Sequence, residues 1–144
     1  MLNLVVEILE ECKAEIQRNL AEQGVNASGR TSRGLVVEKY DGGVRLVATD
    51  GAPLATTEIG RRPGKVPVGF RQIIEQWSRD KGLLFPTESD RKRFAFLTAR
   101  KIAEEGTQRH KNPRADIYSP AVEKAVSELE TVLYKATIEA IKTH

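Results

Sequence analysis

The segment GRRPGKVP, at positions 60–67, concentrates the residue types that are most able to bind an anion. It carries Arg61, Arg62 and Lys65 together with two glycines and two prolines. Guanidinium and ammonium groups can clamp a phosphate, hold nucleic acid or dock on the acidic surface of another protein. The residue types alone leave these three uses open.

A nucleotide-binding phosphate loop is excluded by the spacing within this segment. That motif places four residues between its glycines and follows the second glycine with Lys and then Ser or Thr. Here three residues separate Gly60 from Gly64, and Val66 stands where the magnesium-binding hydroxyl would be. Pro63 also lacks one of the backbone N–H donors that would hold the phosphate. We therefore expect no nucleotide cofactor.

Histidine and cysteine are too few to predict a catalytic or metal site. The histidines are His110, in a polar loop, and His144, and the single cysteine is Cys12. Cys12 falls in the apolar pattern of the first predicted helix, which favours a place in the core over a nucleophilic role. No cluster of metal ligands is present, so we expect neither a metal nor an enzyme. A hydrolase whose paired carboxylates are distant in sequence stays an open alternative.

Charge is distributed unevenly along the 144 residues. The chain holds 23 basic and 20 acidic residues, but residues 61–114 hold 14 basic and 6 acidic ones. The middle therefore has a local charge of +8 and the flanks a local charge of −5. Such an asymmetry can attract a polyanion, or it can join the basic face of one subunit to the acidic face of the next. Solvated charged faces without any partner explain it equally well.

Apolar periodicity predicts four helices. Residues 3–23 form the first of them, and a short helix marked by Phe70 and Trp77 ends near Lys81. Thr87 and Asp90, at capping-box spacing, open a helix that stops at Gly106. Ser119 and Pro120 open the last helix, which runs to about Lys142. The core-facing stripe of this last helix comprises Val122, Val126, Leu129, Val132, Leu133 and Ala136.

Residues 35–59 predict an antiparallel meander of three strands. Asp41-Gly42, between two β-rich runs, predicts a tight hairpin turn. A second turn, TDGAP at 49–53, leads to a third strand over 54–59. The expected fold is α+β, in a single domain over 1–144. A three- to four-stranded antiparallel sheet packs against an N-terminal and a C-terminal helix, with an inserted helical pair.

The order of these motifs resembles the tail-completion, or head–tail joining, proteins of long-tailed bacteriophages and prophages over nearly the whole chain. SGRTSRGLVV, at 28–37, takes the place of that family's Thr-Gly-x-Leu-x-x-Ser-like loop before a strand. APLATTEIGRRPGKVP, at 52–67, takes the place of its Tyr-Ala-x-x-x-Glu-x-Gly-Thr-like motif and basic loop. The residues that match are Ala52, Glu58, Gly60, Arg61 and Pro63. Gly34 and Leu54 depart from the pattern, which usually has Ser and often an aromatic there.

Three later segments, IIEQWSRDKGL, FAFLTARKIAEEGT and YSPA, are similar to family members with an inserted helical pair. The resemblance implies a structural protein of the virion, present in the host bacterial cytoplasm during assembly. Its copies would form a ring, commonly of six, at the head–tail junction or tail end. Neighbouring connector or tail-tube proteins would be partners, DNA in the channel would be touched weakly, and no membrane would be involved.

The resemblance also implies that loops 25–34, 60–69 and 106–118 become ordered when subunits assemble. We predict that GRRPGKVP is a docking arm and that Glu7, Glu11 and Glu15 of the first helix are a candidate acceptor. The cations predicted to dock are Arg61, Arg62, Lys65, Arg30 and Arg33. The alternative function is a non-specific nucleic-acid-binding module that uses residues 61–114, including RKRF at 91–94.

Overall fold

The protein is α+β and mostly helical in its computed structural model, which describes residues 1–25, 29–49 and 54–143. In chain order, the elements are α1 (Leu2–Glu22), α2 (Arg30–Arg33), β1 (Leu35–Tyr40), β2 (Gly43–Ala48), α3 (Thr56–Ile59), α4 (Phe70–Asp80), α5 (Glu88–Glu105), α6 (Gln108–Lys111) and α7 (Ser119–Lys142). The predicted α+β class is thus confirmed, whereas the predicted number of strands is not. Within the described ranges, no helix is both long and apolar enough to cross a membrane.

The main core lies between α1 and α7, and the β-hairpin packs against α1. Every fourth residue of α1 is buried, from Ile8 through Cys12 and Ile16 to Leu20, which is the helical repeat read from the sequence. Ala121 and Ala125 of α7 pack in the same core, and small side chains let two helices approach closely. Cys12 is therefore a core residue, as predicted.

The sheet has two antiparallel strands in the described part of the chain. Leu35 pairs with Ala48 and Tyr40 with Gly43, so Asp41-Gly42 forms the predicted two-residue turn. The predicted third strand over 54–59 is wrong, because this segment is a turn followed by α3. Its Thr and Ile residues favour strands, but contacts made elsewhere in the fold override that preference. Residues 50–53 of the predicted second turn lie outside the described ranges.

Helices α4 and α5 pack on each other around a second, smaller core. Ile74 is buried there against Ala95 and Ala99, with Phe94 half-buried beside them. The predicted cap of α5 is confirmed, because the Thr87 hydroxyl accepts a hydrogen bond from the Asp90 N–H at 3.2 Å. The helical pair expected in this part of the chain is therefore present.

The apolar stripe predicted for α7 is buried only in part, with Leu129 and Val132 packed against the main core. Ala121 and Ala125 are buried, whereas Val122, Val126 and Leu133 are 42%, 46% and 55% exposed. On α4, Ile73 and Trp77 are likewise exposed while Ile74 is buried. Both helices thus carry large apolar side chains that this single copy leaves in contact with solvent.

Candidate docking surfaces

The segment GRRPGKVP lies against the loop that follows α5. The Arg61 N–H donates to the Thr107 hydroxyl at 2.9 Å, and the Thr107 N–H donates to the Arg61 carbonyl at 3.0 Å. The Gly64 N–H donates to the carbonyl of Ala103, near the end of α5, at 2.8 Å. Three hydrogen bonds from backbone N–H groups therefore join residues 60–64 to residues 103–107.

Gly60 is what allows the two loops to come so close. It adopts a left-handed backbone conformation, with φ of +68°. A Cβ atom at this position would lie 2.3 Å from the backbone nitrogen of His110 and 2.3 Å from the Thr107 hydroxyl oxygen. Any other residue would therefore suffer both backbone strain and a collision. The sequence shows a glycine at position 60, but only the fold shows that Thr107 and His110 require one there.

Glu58, two residues before Gly60, fastens the same region to the start of α7. Its side chain is only 3% exposed. One carboxylate oxygen accepts hydrogen bonds from the backbone N–H groups of Ile117, Tyr118 and Ser119 at 2.8–3.0 Å. The other oxygen accepts from the Ser119 hydroxyl at 2.6 Å. The carboxylate thus satisfies the N–H of Ser119, the first residue of α7, and the two N–H groups just before the helix, and it faces the positive end of the helix dipole.

The prediction for Ser119 is corrected by this arrangement. The Ser-Pro pair marks the start of α7 correctly, but the Ser119 side chain donates to Glu58 rather than capping the helix itself. The capping group comes from a residue 61 positions earlier in the chain. Burial of Tyr118 beside Glu58 raises the pKa of its phenol, and the negative charge of Glu58 adds to that effect.

The paired loops gather six basic side chains from two distant parts of the sequence. We call this set the basic cluster: Arg61, Arg62, Lys65, Arg109, Lys111 and Arg114. Asp116 pairs with Arg109 at 2.6 Å and with Arg114 at 3.5 Å, while Glu105 pairs with Lys111 at 2.7 Å. Arg62 and Lys65 are exposed and form no ion pair with any described residue.

The predicted docking cations occupy two different parts of the fold. Arg61 lies with its guanidinium 5.2 Å from the centre of the Phe70 ring, so it also holds the loop in place. Arg62 and Lys65 are the cations of GRRPGKVP that extend into solvent. Arg30 and Arg33 lie on α2, which packs against α1 and β1 and is tied to α1 by the Gln17 amide.

An acidic groove runs between α1 and α7. Its two adjoining parts have volumes of about 310 and 320 Å³. The groove is lined by the carboxylates Glu7, Glu11, Glu15 and Glu128 and by the apolar residues Leu4, Ile8 and Val132. Arg18 and Lys124 line one end. The three glutamates predicted on α1 therefore lie along one feature, and Glu128, which the sequence did not single out, joins them from α7.

Cys12 also lines this groove, and the pKa of its thiol responds to the charges there. Burial raises the pKa of the Cys12 thiol, and the negative charges of Glu15 and Glu128 raise it further. A thiolate is repelled by neighbouring carboxylates, so these shifts have the same sign. The thiol is therefore poorly reactive at neutral pH and reports on the electrostatics of the groove.

The basic cluster and the acidic groove lie at different places along the same helix. The cluster is next to residues 117–119, where Glu58 caps α7. Glu128 is nine residues further along α7, about 14 Å at 1.5 Å per residue, and Val132 is about 20 Å away. Neither Arg62 nor Lys65 lines the groove, so the exposed cations do not fill the groove of their own copy.

In the ranges that the structure describes, His, Cys, Asp and Glu form no group of three that could hold a metal ion. His110 lies beside Gly106 in the paired loops, and His144 is outside the described ranges.

No family model, no curated protein and no solved structure matches this chain.

Proposed function

We propose that this chain is a structural protein of a virion, whose copies form a ring at the head–tail junction or tail end of a long-tailed bacteriophage. The exposed cations of the basic cluster dock in the acidic groove of the next copy. The observation that carries the proposal is the presence, on one chain, of two complementary charged surfaces that are held apart. The resemblance of the sequence to tail-completion proteins supplies the biological setting.

Two different complementary surfaces on one chain allow both a ring and a two-fold dimer. In a dimer each cluster docks in the other copy's groove, whereas in a head-to-tail contact the second copy still has its own cluster free. Such head-to-tail contacts continue from copy to copy until the rotation closes a ring, or they extend as a filament. A closed ring of about six copies, surrounding a channel for DNA, is the form implied by the resemblance.

The apolar side chains of the groove give docking more than electrostatic attraction. Leu4 and Val132 lie among the carboxylates, and Val68, next to the docking arm, is fully exposed. Exposed ion pairs contribute little free energy, whereas burial of apolar surface contributes about 25 cal/mol per Å². Charge would therefore select the partner surface, and apolar contact would stabilise the ring.

Sedimentation velocity of a two-residue variant tests the proposal. The change of Arg62→Ala with Lys65→Ala removes the exposed cations of the docking arm and spares Arg61, which packs on Phe70. We expect the unaltered chain to form a discrete oligomer at high protein concentration and the variant to stay monomeric. Thermal unfolding of the isolated monomer should be nearly unchanged, because surface substitutions usually alter stability by less than about 0.5 kcal/mol.

A matched control removes two exposed lysines from the far end of α7, by Lys135→Ala with Lys142→Ala. It has the same net charge as the docking variant and should assemble normally. The proposal is contradicted when the docking variant assembles like the unaltered chain, or when both variants lose assembly equally. Negative-stain images of the oligomer formed by the unaltered chain would count the copies in each ring.

A further inference from the structure

Val68 is a fully exposed apolar side chain that directly follows the docking arm, residues 60–67. An exposed valine by itself needs no explanation. This one, however, lies three residues after Lys65, one of the two cations that we propose to dock. The contacts of the loop therefore decide where Val68 lies when the arm meets another copy.

The loop that carries Val68 is ordered by its own contacts. The Phe70 N–H donates to the Pro67 carbonyl at 3.2 Å, which closes a turn around Val68. Pro67 has a fixed φ angle, and Gly69, the residue before α4, is left-handed with φ of +80°. A side chain that such a turn presents loses little conformational entropy on binding.

The acidic groove differs in chemistry between its two ends. The part with a volume of about 320 Å³ includes Leu4 and Val132 in its lining. Arg18 and Lys124 line the opposite end, in the part with a volume of about 310 Å³. Burial of an apolar side chain is favourable against apolar surface, so only the first end suits a valine.

We propose that Val68 is the apolar anchor of the docking arm and fills the end of the groove at Leu4 and Val132 of the next copy. This inference rests on the proposed docking of copies and adds a direction to it, because the arm then runs from this end of the groove towards its middle. Energetically dominant interface residues typically sit in a pocket that a polar rim shields from water. The carboxylates of the groove supply such a rim.

The lengths of the two surfaces agree with this direction. Lys65 precedes Val68 by three residues, a span of at most about 11 Å. On α1, Glu7 and Glu11 lie about 4.5 and 10.5 Å from Leu4 along the helix axis, at 1.5 Å per residue. With Val68 beside Leu4, both carboxylates therefore lie within reach of the Lys65 ammonium group.

The reverse direction of the arm is unfavourable at both ends of the groove. It would place Val68 beside the charged groups of Arg18 and Lys124. It would also leave the apolar surface of Leu4 and Val132 to the cations of the arm. Neither contact replaces the water that the charged groups lose.

Disulfide cross-linking tests this direction on the full chain, at concentrations where sedimentation shows the oligomer. One chain carries both Val68→Cys and Leu4→Cys, and a mild oxidant is added. A disulfide needs Cα atoms about 4.4–6.8 Å apart, so we expect covalent oligomers in non-reducing denaturing gels. They form a ladder in a head-to-tail ring and dimers alone in a two-fold pair.

The matched control for cross-linking is Val68→Cys with Arg18→Cys. Position 18 is about 21 Å from position 4 along α1, so this pair should not cross-link. Val68→Cys alone measures any bond to the native Cys12, which is buried and should not react.

Truncation of the anchor should weaken assembly without loosening the fold. Val68→Ala should raise the concentration for half-assembly by about tenfold, because two buried carbons are lost at each contact. Thermal unfolding of the monomer should be nearly unchanged, since the side chain is exposed there. Leu84→Ala, at a position that is 94% exposed, is the control and should assemble like the unaltered chain.

The results distinguish this inference from the proposed function. Oligomers that form normally but cross-link through neither pair, or through the position 18 pair alone, overturn the anchor and leave the docking of copies intact. Equal assembly of Val68→Ala and Leu84→Ala also overturns it. An unaltered chain that stays monomeric at every concentration contradicts both proposals.

Discussion

At the scale of single residues, a buried carboxylate determines where the docking arm sits. Glu58 accepts four hydrogen bonds from residues 117–119, and Gly60 follows two positions later. The Glu58 side chain thus ties the residues just before the arm to the start of α7. Hydrogen bonds to a charged acceptor typically contribute about 1.5–3 kcal/mol, more than neutral ones.

Replacement of Glu58 should destabilise the whole protein. We expect Glu58→Ala to lower the free energy of unfolding by about 3 kcal/mol, because it leaves several buried donors without an acceptor. Glu58→Gln should cost less, since the amide oxygen still accepts. Urea unfolding followed by circular dichroism measures both changes. Glu130→Ala, at an exposed position of α7, is the control and should stay within about 0.5 kcal/mol; equal midpoints for the two alanine variants would rule out the capping role.

Gly60 should tolerate substitution less well than a glycine with similar backbone and open surroundings. Gly82 has φ of +73°, and a Cβ added there would have no heavy atom within 4 Å, whereas a Cβ at Gly60 would collide with His110 and Thr107. Gly82→Ala should therefore cost only the backbone strain, about 1–2 kcal/mol. Gly60→Ala should cost clearly more in urea unfolding and should also weaken assembly. Equal costs would mean that the loops separate without penalty.

Local rules predicted some of these residues and missed others. The Thr87 cap and the buried Cys12 depend on neighbours within a few positions, and the sequence indicated both. Glu58 depends on residues about 60 positions away, so no local pattern reveals it. The sequence resemblance singled out Glu58 and Gly60 as matching positions, but only the fold shows what each contacts.

At the scale of elements, α7 carries apolar side chains both in the core and at the surface. Ala121 and Ala125 pack in the main core, while Val122, Val126 and Leu133 remain largely exposed. Apolar periodicity marks both faces together, so the sequence could not say which one the core uses. The prediction of a third strand was wrong for a similar reason. Residues 56–59 have strand propensity, but they form α3, and Glu58 within it makes hydrogen bonds to residues 117–119.

Neighbouring positions on α7 should respond differently to an added side chain. Ala125→Leu inserts three carbons into a packed interface, and we expect a loss of about 1–3 kcal/mol in the free energy of unfolding. Val126→Leu adds one carbon to a half-exposed side chain and should change that value by less than about 0.5 kcal/mol. Urea unfolding of the monomer distinguishes them, and a larger loss at Val126 would place the wrong face of α7 in the core.

The charge of the acidic groove should be measurable through Cys12. Glu15 and Glu128 raise the pKa of the thiol because they repel the thiolate. The variant Glu15→Gln/Glu128→Gln should therefore lower that pKa, so the rate of alkylation by iodoacetamide should rise at a lower pH. Burial still holds the pKa above its ordinary value. Glu7→Gln/Glu10→Gln is the matched control, and an unchanged pH profile in the first variant would show that these carboxylates do not face the thiol.

At the scale of the whole molecule, the fold places the basic cluster and the acidic groove on different parts of the surface. A basic middle and acidic flanks are visible along the chain, but this pattern alone does not distinguish a docking pair from solvated faces. In the fold, residues 60–65 and 106–114 join in one cluster, while α1 and α7 form one groove. Arg62 and Lys65 do not line the groove of their own copy, which is why we infer that copies join.

An exchange of charges between the two surfaces tests the docking of like copies most directly. One variant carries Arg62→Glu and Lys65→Glu, and the other carries Glu7→Lys and Glu11→Lys; all four side chains are exposed. Each variant alone should sediment as a monomer, because positions 62 and 65 then carry charge of the same sign as positions 7 and 11. An equal mixture should regain the oligomer, since each altered surface finds an opposite one on the other variant. Assembly by either variant alone, or a mixture that stays monomeric, would contradict the account.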